Sequence, residues 1–507
     1  METSVFFGTA WSLLPPIVAI ILAFITKEVY SSLFAGIFVG ALLCGNFHPW
    51  TTFELIFSTM AENIDMNIVF FLVMLGMIVV LMEMSGGSAA YGRWASAWIK
   101  NKPMAMLATS LLGVLIFVDD YFNCLTVGSV MRPITDRYKV SRAKLAYLID
   151  ATAAPICIIA PISSWAAAVN SYVPEGAGIN GFQMFIRTIP YNLYALLTIF
   201  MLIFISAMNF DFGLMGVHEK NAKKGDLFTD HEGEFDSGEK LYVNERGKVY
   251  DLLLPIIVLI VSAVGAMIYT GFKAGGVNIQ DAFANCDSSL SLVFSTFVTI
   301  IFTLILYIPR KILTFKQYMN SFIGGFRLML RAIAVLTFAW TLKGVTNALG
   351  VTDFVSDLVS GNSAAAALVP VIMFAIAIFI SFSTGTSWGT FAILVPIAVA
   401  IFSGEGDLNM MILAVSAVLA GSVCGDHLSP ISDTTIMSSA GAQCYHMNHV
   451  STQMQYAIVP IVCSVIGYLI AGAVRNWFVP LAASILLETG TLMFIRKRIL
   501  DKGTNSR

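Results

Sequence analysis

The feature that most restricts this chain is a series of uncharged apolar stretches about 20 residues long, the length that crosses a bilayer core of about 30 Å. Windows of about 19 residues place them near 10–26, 29–44, 65–84, 104–118, 145–168 and 184–208. A second set follows near 252–270, 290–308, 328–349, 365–382, 409–440, 453–475 and 478–495. With 57% hydrophobic and 12% charged residues, a water-soluble core would have no surface left to dissolve it. Lipid is therefore the expected solvent, and the expected fold is an all-α integral membrane protein of about 11–13 membrane segments.

The formal net charge of −2 offers nothing to nucleic acid. Glu2 near the start, Pro15-Pro16 in the first apolar stretch and no small-residue cleavage pattern after it point to a retained first span. Seven cysteines, mostly inside apolar segments and with no CxxC pair, read as buried thiols.

Basic residues concentrate in 93–102 (Arg93, Lys100, Lys102), 132–144 (Arg132, Arg137, Lys139, Arg142, Lys144), 310–331 and the C-terminus (Arg496, Lys497, Arg498). The positive-inside rule puts these in the cytoplasm, with the N-terminus outside and the C-terminus inside. The walk closes only if 104–134 enters and leaves on the cytoplasmic side and 365–402 on the exterior side.

Those two segments echo each other: Phe117-Val118-Asp119-Asp120 leading to Met131-Arg132-Pro133-Ile134 parallels Phe382-Ser383-Thr384-Gly385 leading to Leu394-Val395-Pro396-Ile397. Just beyond, Ala160-Pro161-Ile162-Ser163-Ser164 matches Ser429-Pro430-Ile431-Ser432-Asp433. The halves are upside down relative to each other in the deduced topology, which predicts an inverted-repeat secondary transporter with re-entrant hairpins and broken helices. The division expected is 1–208 as first repeat, 209–251 as a cytoplasmic hydrophilic linker containing His231–Asp236, 252–475 as second repeat, and 476–507 as an extra helix with a basic tail. The stretch 310–320, with Arg310, Lys311 and Lys316 beside Ile312, Leu313 and Phe315, reads as an interfacial amphipathic helix.

Polar groups inside apolar spans are expensive and need a partner, an ion or water. Four clusters qualify: Asp119-Asp120-Tyr121-Phe122-Asn123; Asp150-Ala151-Thr152; Ser383-Thr384-Gly385-Thr386-Ser387; and Gly425 to Thr435, with Asp426, His427, Ser429, Ser432, Asp433 and Thr434. With Ser163 and Ser164 they form the expected ion- or substrate-binding set. Gly and Pro beside hydroxyls break helices at mid-membrane, and the freed carbonyls with Ser, Thr, Asn and Asp oxygens suit a hard cation. Sodium candidates are Asp120, Asn123, Asp426, Ser432 and Asp433. A carboxylate that is neutral in one state and cation-bound in another lets Na⁺ and H⁺ compete for one group. Asp119 and Asp120 would titrate as a coupled pair if both faced a cavity. His427 beside Asp426 has no second His or Cys at zinc-like spacing. Lys343 is buried enough in its span to be a candidate counter-charge.

The run Gly425-Asp426-His427-Leu428-Ser429-Pro430-Ile431-Ser432-Asp433-Thr434-Thr435 resembles the C-terminal signature of the NhaC family of sodium/proton antiporters. Gly385-Thr386-Ser387-Trp388-Gly389-Thr390 and the first-half Pro-Ile-Ser extend the resemblance more loosely, over about residues 100–470. It implies an ion-transporter type of fold, with a fixed scaffold and a moving unit of hairpins and broken helices, in the bacterial cytoplasmic membrane. Family members are similar to Na⁺/H⁺ antiporters and to exchangers of malate for lactate, so the solute stays open. The departure is Asp119-Asp120 in the first hairpin where the second has Ser383-Thr384.

The expected function is secondary antiport, Na⁺/H⁺ exchange first and a Na⁺- or H⁺-coupled carrier of a small organic acid or amino acid as the alternative. The coupling ions are Na⁺ and H⁺ with no other cofactor; the partners are membrane lipid and a small ion or organic solute, and a homodimer is compatible with this. A hydrolase would need a nucleophile–base pair or an HExxH-like motif, and a channel a continuous pore-lining repeat; the sequence offers neither, so no enzyme is expected.

Overall fold

Every apolar stretch found in the sequence is helical, and the way their ends are tied defines two faces. The computed structural model describes residues 4–26, 28–173, 179–229, 244, 246–351, 354, 363–403 and 407–504, with no strand among them. His231–Asp236 of the expected linker lies outside the described residues. Among those described, eight helices are long and apolar enough to cross a membrane, such as Met66–Met84, Tyr250–Lys273 and Leu408–Leu428. The count is lower than the sequence suggests because Leu14–Thr26, Val29–Cys44 and Lys102–Leu115 have only 13, 16 and 14 residues, 145–168 is broken and the helix over 328–349 is bent, while Ser387–Ser403 has 17 residues. At 1.5 Å per residue such helices reach about 20–26 Å, short of the hydrocarbon core. Large apolar side chains such as Val261 and Leu486 are 65% and 73% exposed, as a lipid-facing surface requires.

One face collects the basic clusters. Lys102 Nζ donates to Lys139 O at 3.1 Å and Arg93 to Gly247 O at 3.1 Å, Lys144 pairs with Asp211 at 2.6 Å, and Arg310 pairs with Asp251. The opposite ends of the spans are joined by Gly8 N to Leu349 O at 2.9 Å, Ser289 to Asp65 at 3.0 Å, and Arg475 to Asp407 at 3.0 Å. Lys102–Leu115 and Asp120–Arg137 form a hairpin that enters and leaves on the basic face, as expected. Ser363–Thr384 and Ser387–Ser403 form its counterpart from the other face. Leu14–Thr26 and Val29–Cys44 form a third hairpin, which the sequence reading took for two spans.

Between these hairpins lie two broken spans. Arg142–Asp150 starts at the basic face, is interrupted, and resumes as Ser164–Tyr172; Leu408–Leu428 starts at the other face and resumes as Asp433–Ala442. Pro161 and Pro430 sit in the breaks, where a residue without an N–H costs no helical bond. Ser163 and Ser432 then restart the helices as N-caps, accepting from Ala166 N at 3.1 Å and Thr435 N at 3.2 Å. The two Pro-Ile-Ser echoes are thus the same local device, crossing in opposite directions.

Two local expectations change. The stretch 310–320 is not a separate interfacial helix: Thr314 caps Phe315–Ala348, which runs on as one 34-residue helix bent by 48° near its middle. Lys343 in that helix donates to Ser171 O at 3.3 Å, the negative C-terminal end of Ser164–Tyr172, which supplies its counter-charge without a carboxylate.

Candidate functional site

The two hairpin tips meet the two breaks, and the pairing follows one pattern. Val118 O accepts from Ser164 N at 3.1 Å in the first half, and Gly385 O from Asp433 N at 3.4 Å in the second. Asp119 caps its helix by accepting from Phe122 N at 3.0 Å, and Thr386 occupies the same place before Ser387, with its hydroxyl 3.4 Å from Gly389 N. The structural equivalence is therefore Asp119 with Thr386 and Asp120 with Ser387, not Asp119-Asp120 with Thr384-Gly385 as the sequence echo suggested. Helix caps, which fix the register, carry a weaker sequence signal than the shared Phe. Gly385 has φ +67°, and a Cβ there would stand 2.4 Å from Ile431 O, so the tip can close on the break only with glycine.

The adjacent aspartates have unlike surroundings. Asp119 is held by its cap and by the Ser164 hydroxyl at 3.4 Å. Asp120 is 1% exposed and both its carboxylate oxygens lack a hydrogen-bond partner. Trp165 is its neighbour, and the ring of Trp165 stands edge-on to Trp388 at 5.7 Å. Asp426 accepts from Ser387 at 2.9 Å and Thr434 at 3.2 Å on Oδ2, while Oδ1 has no partner. Asp119, Asp120, Asp426 and Asp433 all lie within electrostatic reach of Tyr121, whose hydroxyl is 3.4 Å from Asp433 Oδ2.

Asp150 is the node between the halves. Its Oδ2 accepts from Thr435 at 3.3 Å and from Gln453 at 2.5 Å, with His449 Nε2 at 3.3 Å; its Oδ1 has no partner. Gln453 also donates to His427 O at 3.0 Å, and the His427 ring meets Tyr194 at 3.1 Å. Among the described residues no lysine or arginine pairs with Asp119, Asp120, Asp150 or Asp426.

Several expected ligands have structural work instead. The Asn123 amide donates to Gly113 O, Ile116 O and Thr152 O at 2.7, 3.1 and 3.0 Å, satisfying carbonyls freed by both the hairpin turn and the first break; only its Oδ1 is open. The hydroxyl of Thr152 turns back to Leu148 O at 2.8 Å. Ser163 and Ser432 are caps, and Ser429 ties its break to Phe382 O at 2.8 Å. Ser383 is buried one residue before Thr384, which bonds Ile380 O at 2.9 Å. Thr384, Gly385, Thr386, Tyr121 and Asp433 line a cavity of ≈ 270 Å³ together with Glu28 from the tip of the third hairpin.

Sequence reasoning missed Glu28, His449, Gln453 and Trp165. The stripe His446, His449, Gln453, spaced i, i+3, i+7 on one helix, could have flagged the second and third. Glu28 carried no such mark, because its N-cap bonds to Tyr30 N and Ser31 N at 3.1 and 2.6 Å give it an ordinary local role.

The Na+/H+ antiporter family model matches residues 165–473. An uncharacterized protein of Haemophilus influenzae is 38% identical over 98% of this chain and 98% of its own length. The Malate-2H(+)/Na(+)-lactate antiporter of Bacillus subtilis is 30% identical over 31% of this chain and 34% of its own. The solved YdaH transporter of Alcanivorax borkumensis superposes on 88% of this chain and 89% of its own, with 9% identity and a TM-score of 0.49.

Proposed function

The chain belongs to the Na+/H+ antiporter family, and from that membership we propose that it exchanges Na⁺ for H⁺ by alternating access around the buried carboxylates. The observation that carries this is the set of unpartnered oxygens on Asp120, Asp426, Asp150 and Asn123, buried without a paired lysine or arginine among the described residues. Ionised carboxylates in such a place cost several kcal/mol each unless a cation or a proton joins them. The available donors are hard oxygens, which suit Na⁺. One charge-balancing group then excludes the other, and exclusion at a shared carboxylate is exchange.

In this reading Asp120 and Asp426, one from each half, are the competing groups and Asn123 Oδ1 a neutral ligand. Asp119, Ser163, Ser432, Thr386 and Ser387 hold the tips and half-helices in place, and Asp433 lines the cavity. Asp150 with His449 offers a proton path next to the site. The opposed hairpins and opposed broken spans support an inverted repeat of 1–208 and 252–475, so that a rocking or sliding half exposes the site to each side in turn. The shared basic face supports a cytoplasmic C-terminus in a bacterial inner membrane.

The cavity of ≈ 270 Å³ favours one further reading, since it is far larger than a sodium ion. A small organic acid could occupy it, its carboxylate held by the N-termini of the half-helices, with Na⁺ or H⁺ as coupling ion. Proteoliposome flux separates the two: internal pH is followed while Na⁺, Li⁺ or K⁺ is added outside. Proton movement driven by Na⁺ alone, and lost in Asp120→Asn and Asp426→Asn, supports exchange. Flux that starts only when an organic acid or amino acid is supplied replaces it with the second reading.

A further inference from the structure

A second ionisable group is buried far from the hairpin tips, in the helix that the repeat leaves over. Phe478–Thr504 exposes Leu486 and Leu487, at 73% and 39%, and buries Ser484, Glu488 and Leu492 at one-turn spacing. Glu488 is 0% exposed, and neither of its carboxylate oxygens has a hydrogen-bond partner. It lies ten residues past Phe478, about 15 Å along the helix, near the middle of a core of about 30 Å. No cation approaches it among the described residues. The titratable groups within electrostatic reach of it are Tyr147 of Arg142–Asp150, whose hydroxyl is also buried without a partner, and Cys463 of His446–Val474.

An ionised carboxylate with no donor at that depth is untenable, whereas the neutral acid is merely polar. The helix that carries Tyr147 makes this more than a packing detail. Lys144, Tyr147 and Asp150 follow one another at three-residue intervals on Arg142–Asp150: Lys144 is anchored to Asp211 at the basic face, Tyr147 lies within electrostatic reach of Glu488, and Asp150 joins the central site through Thr435. A shift of this helix that rearranges Asp150 also changes the separation of Tyr147 from Glu488. It would admit water or bring the phenol into hydrogen-bond range, either of which lets the acid ionise.

We propose that Glu488 is a second proton-binding site, separate from the central carboxylates, protonated in the conformation described here and deprotonated when the Arg142–Asp150 helix shifts. The chemistry is one balanced step, a carboxylate and a proton combining to a carboxylic acid. The proposal deepens the reading of this protein as proton-coupled and rests on it.

Infrared spectroscopy of the full-length protein in lipid tests it without any transported cation, so its failure and a failure of Na⁺/H⁺ exchange are distinct results. At neutral pH the wild type should show a carboxylic-acid C=O band typical of apolar surroundings, shifted in D₂O and missing from Glu488→Gln. An alkaline jump should remove the band, and in Tyr147→Phe it should do so at a different pH. If Glu488→Gln fails to accumulate, Glu488→Asp must keep a displaced band. A band unchanged by either Glu488 substitution, a wild type without one, a band that survives until the protein denatures, or one whose pH of loss is the same in Tyr147→Phe overturns the proposal.

Discussion

Asp426→Asn is the most informative single change, because its consequences for folding and for binding have opposite expectations. The side chain keeps its shape, and its amide oxygen can still accept from Ser387 and Thr434, now at 2.9 and 3.2 Å. Replacing charge-assisted bonds by neutral ones forfeits about 1–2 kcal/mol, but the desolvation penalty of a buried charge, several kcal/mol, also disappears. The apo protein should therefore be as stable as wild type or more so. A bound cation, in contrast, loses its counter-charge at the open Oδ1, which costs about 3–5 kcal/mol, or at least about 100-fold in affinity. At a Na⁺ concentration 100 times the wild-type Kd, ligand stabilisation is about 2.7 kcal/mol; in the variant at the same concentration it falls to about 0.4 kcal/mol. Thermal unfolding of the detergent-solubilised protein with and without Na⁺ reads this difference directly. A variant that keeps both the full Na⁺-induced shift and Na⁺-driven proton flux would refute the assignment of Asp426 as a cation ligand.

Gly385→Ala should leave the protein in the membrane but lower flux by tenfold or more, since the φ of +67° and the Cβ 2.4 Å from Ile431 O force the tip off the break, at about 1–3 kcal/mol. Gly265→Ala, whose Cβ would meet nothing within 4 Å, is the control and should change flux little. Asn123→Leu should destabilise by about 3 kcal/mol or more, because the carbonyls of Gly113, Ile116 and Thr152 lose their shared donor; a normal unfolding temperature would show that those carbonyls find other partners. Lys144→Met should lower stability by about 3 kcal/mol by leaving Asp211, among the described residues, with the Tyr456 hydroxyl at 2.7 Å, and adding Asp211→Asn should restore much of it; strictly additive losses in the double-mutant cycle would deny the pair.

What the sequence reveals here follows from where its signals are local. The apolar helical segments, the basic face and the two Pro-Ile-Ser breaks are written in contiguous residues, and the structure carries all three. The third hairpin is not legible, since 13- and 16-residue apolar helices look like spans until their tip, Glu28, is found in the cavity. The candidate site was legible as a set of residues but not as a set of roles. Composition marks Asp119 and Asp120 alike; only the cap geometry assigns the first to Phe122 N and leaves the second open. Asn123 reads as an ion ligand because amide oxygens and amide nitrogens come on one side chain, and it takes three carbonyls from two separate segments to show which end is engaged. Partners distant in sequence, such as His449 and Gln453 for Asp150, have no local trace at all beyond a polar stripe.

The departure from repeat symmetry has a physical sense. In the equivalence set by the caps, Asp120 of the first half corresponds to Ser387 of the second, and Ser387 donates to Asp426 at 2.9 Å. A carboxylate at both equivalent tip positions would add one more negative charge to a site that already buries Asp119, Asp120 and Asp426. A serine at the second tip instead leaves Asp426 with a hydroxyl donor on Oδ2 and an open Oδ1, and Asp120 with two open oxygens. Unlike halves thus limit the negative charge that a cation or proton would have to offset. Ser387→Asp should for that reason bind Na⁺ no more tightly than wild type while shifting the pH dependence of flux, and a simple gain in Na⁺ affinity would count against the charge-balance account.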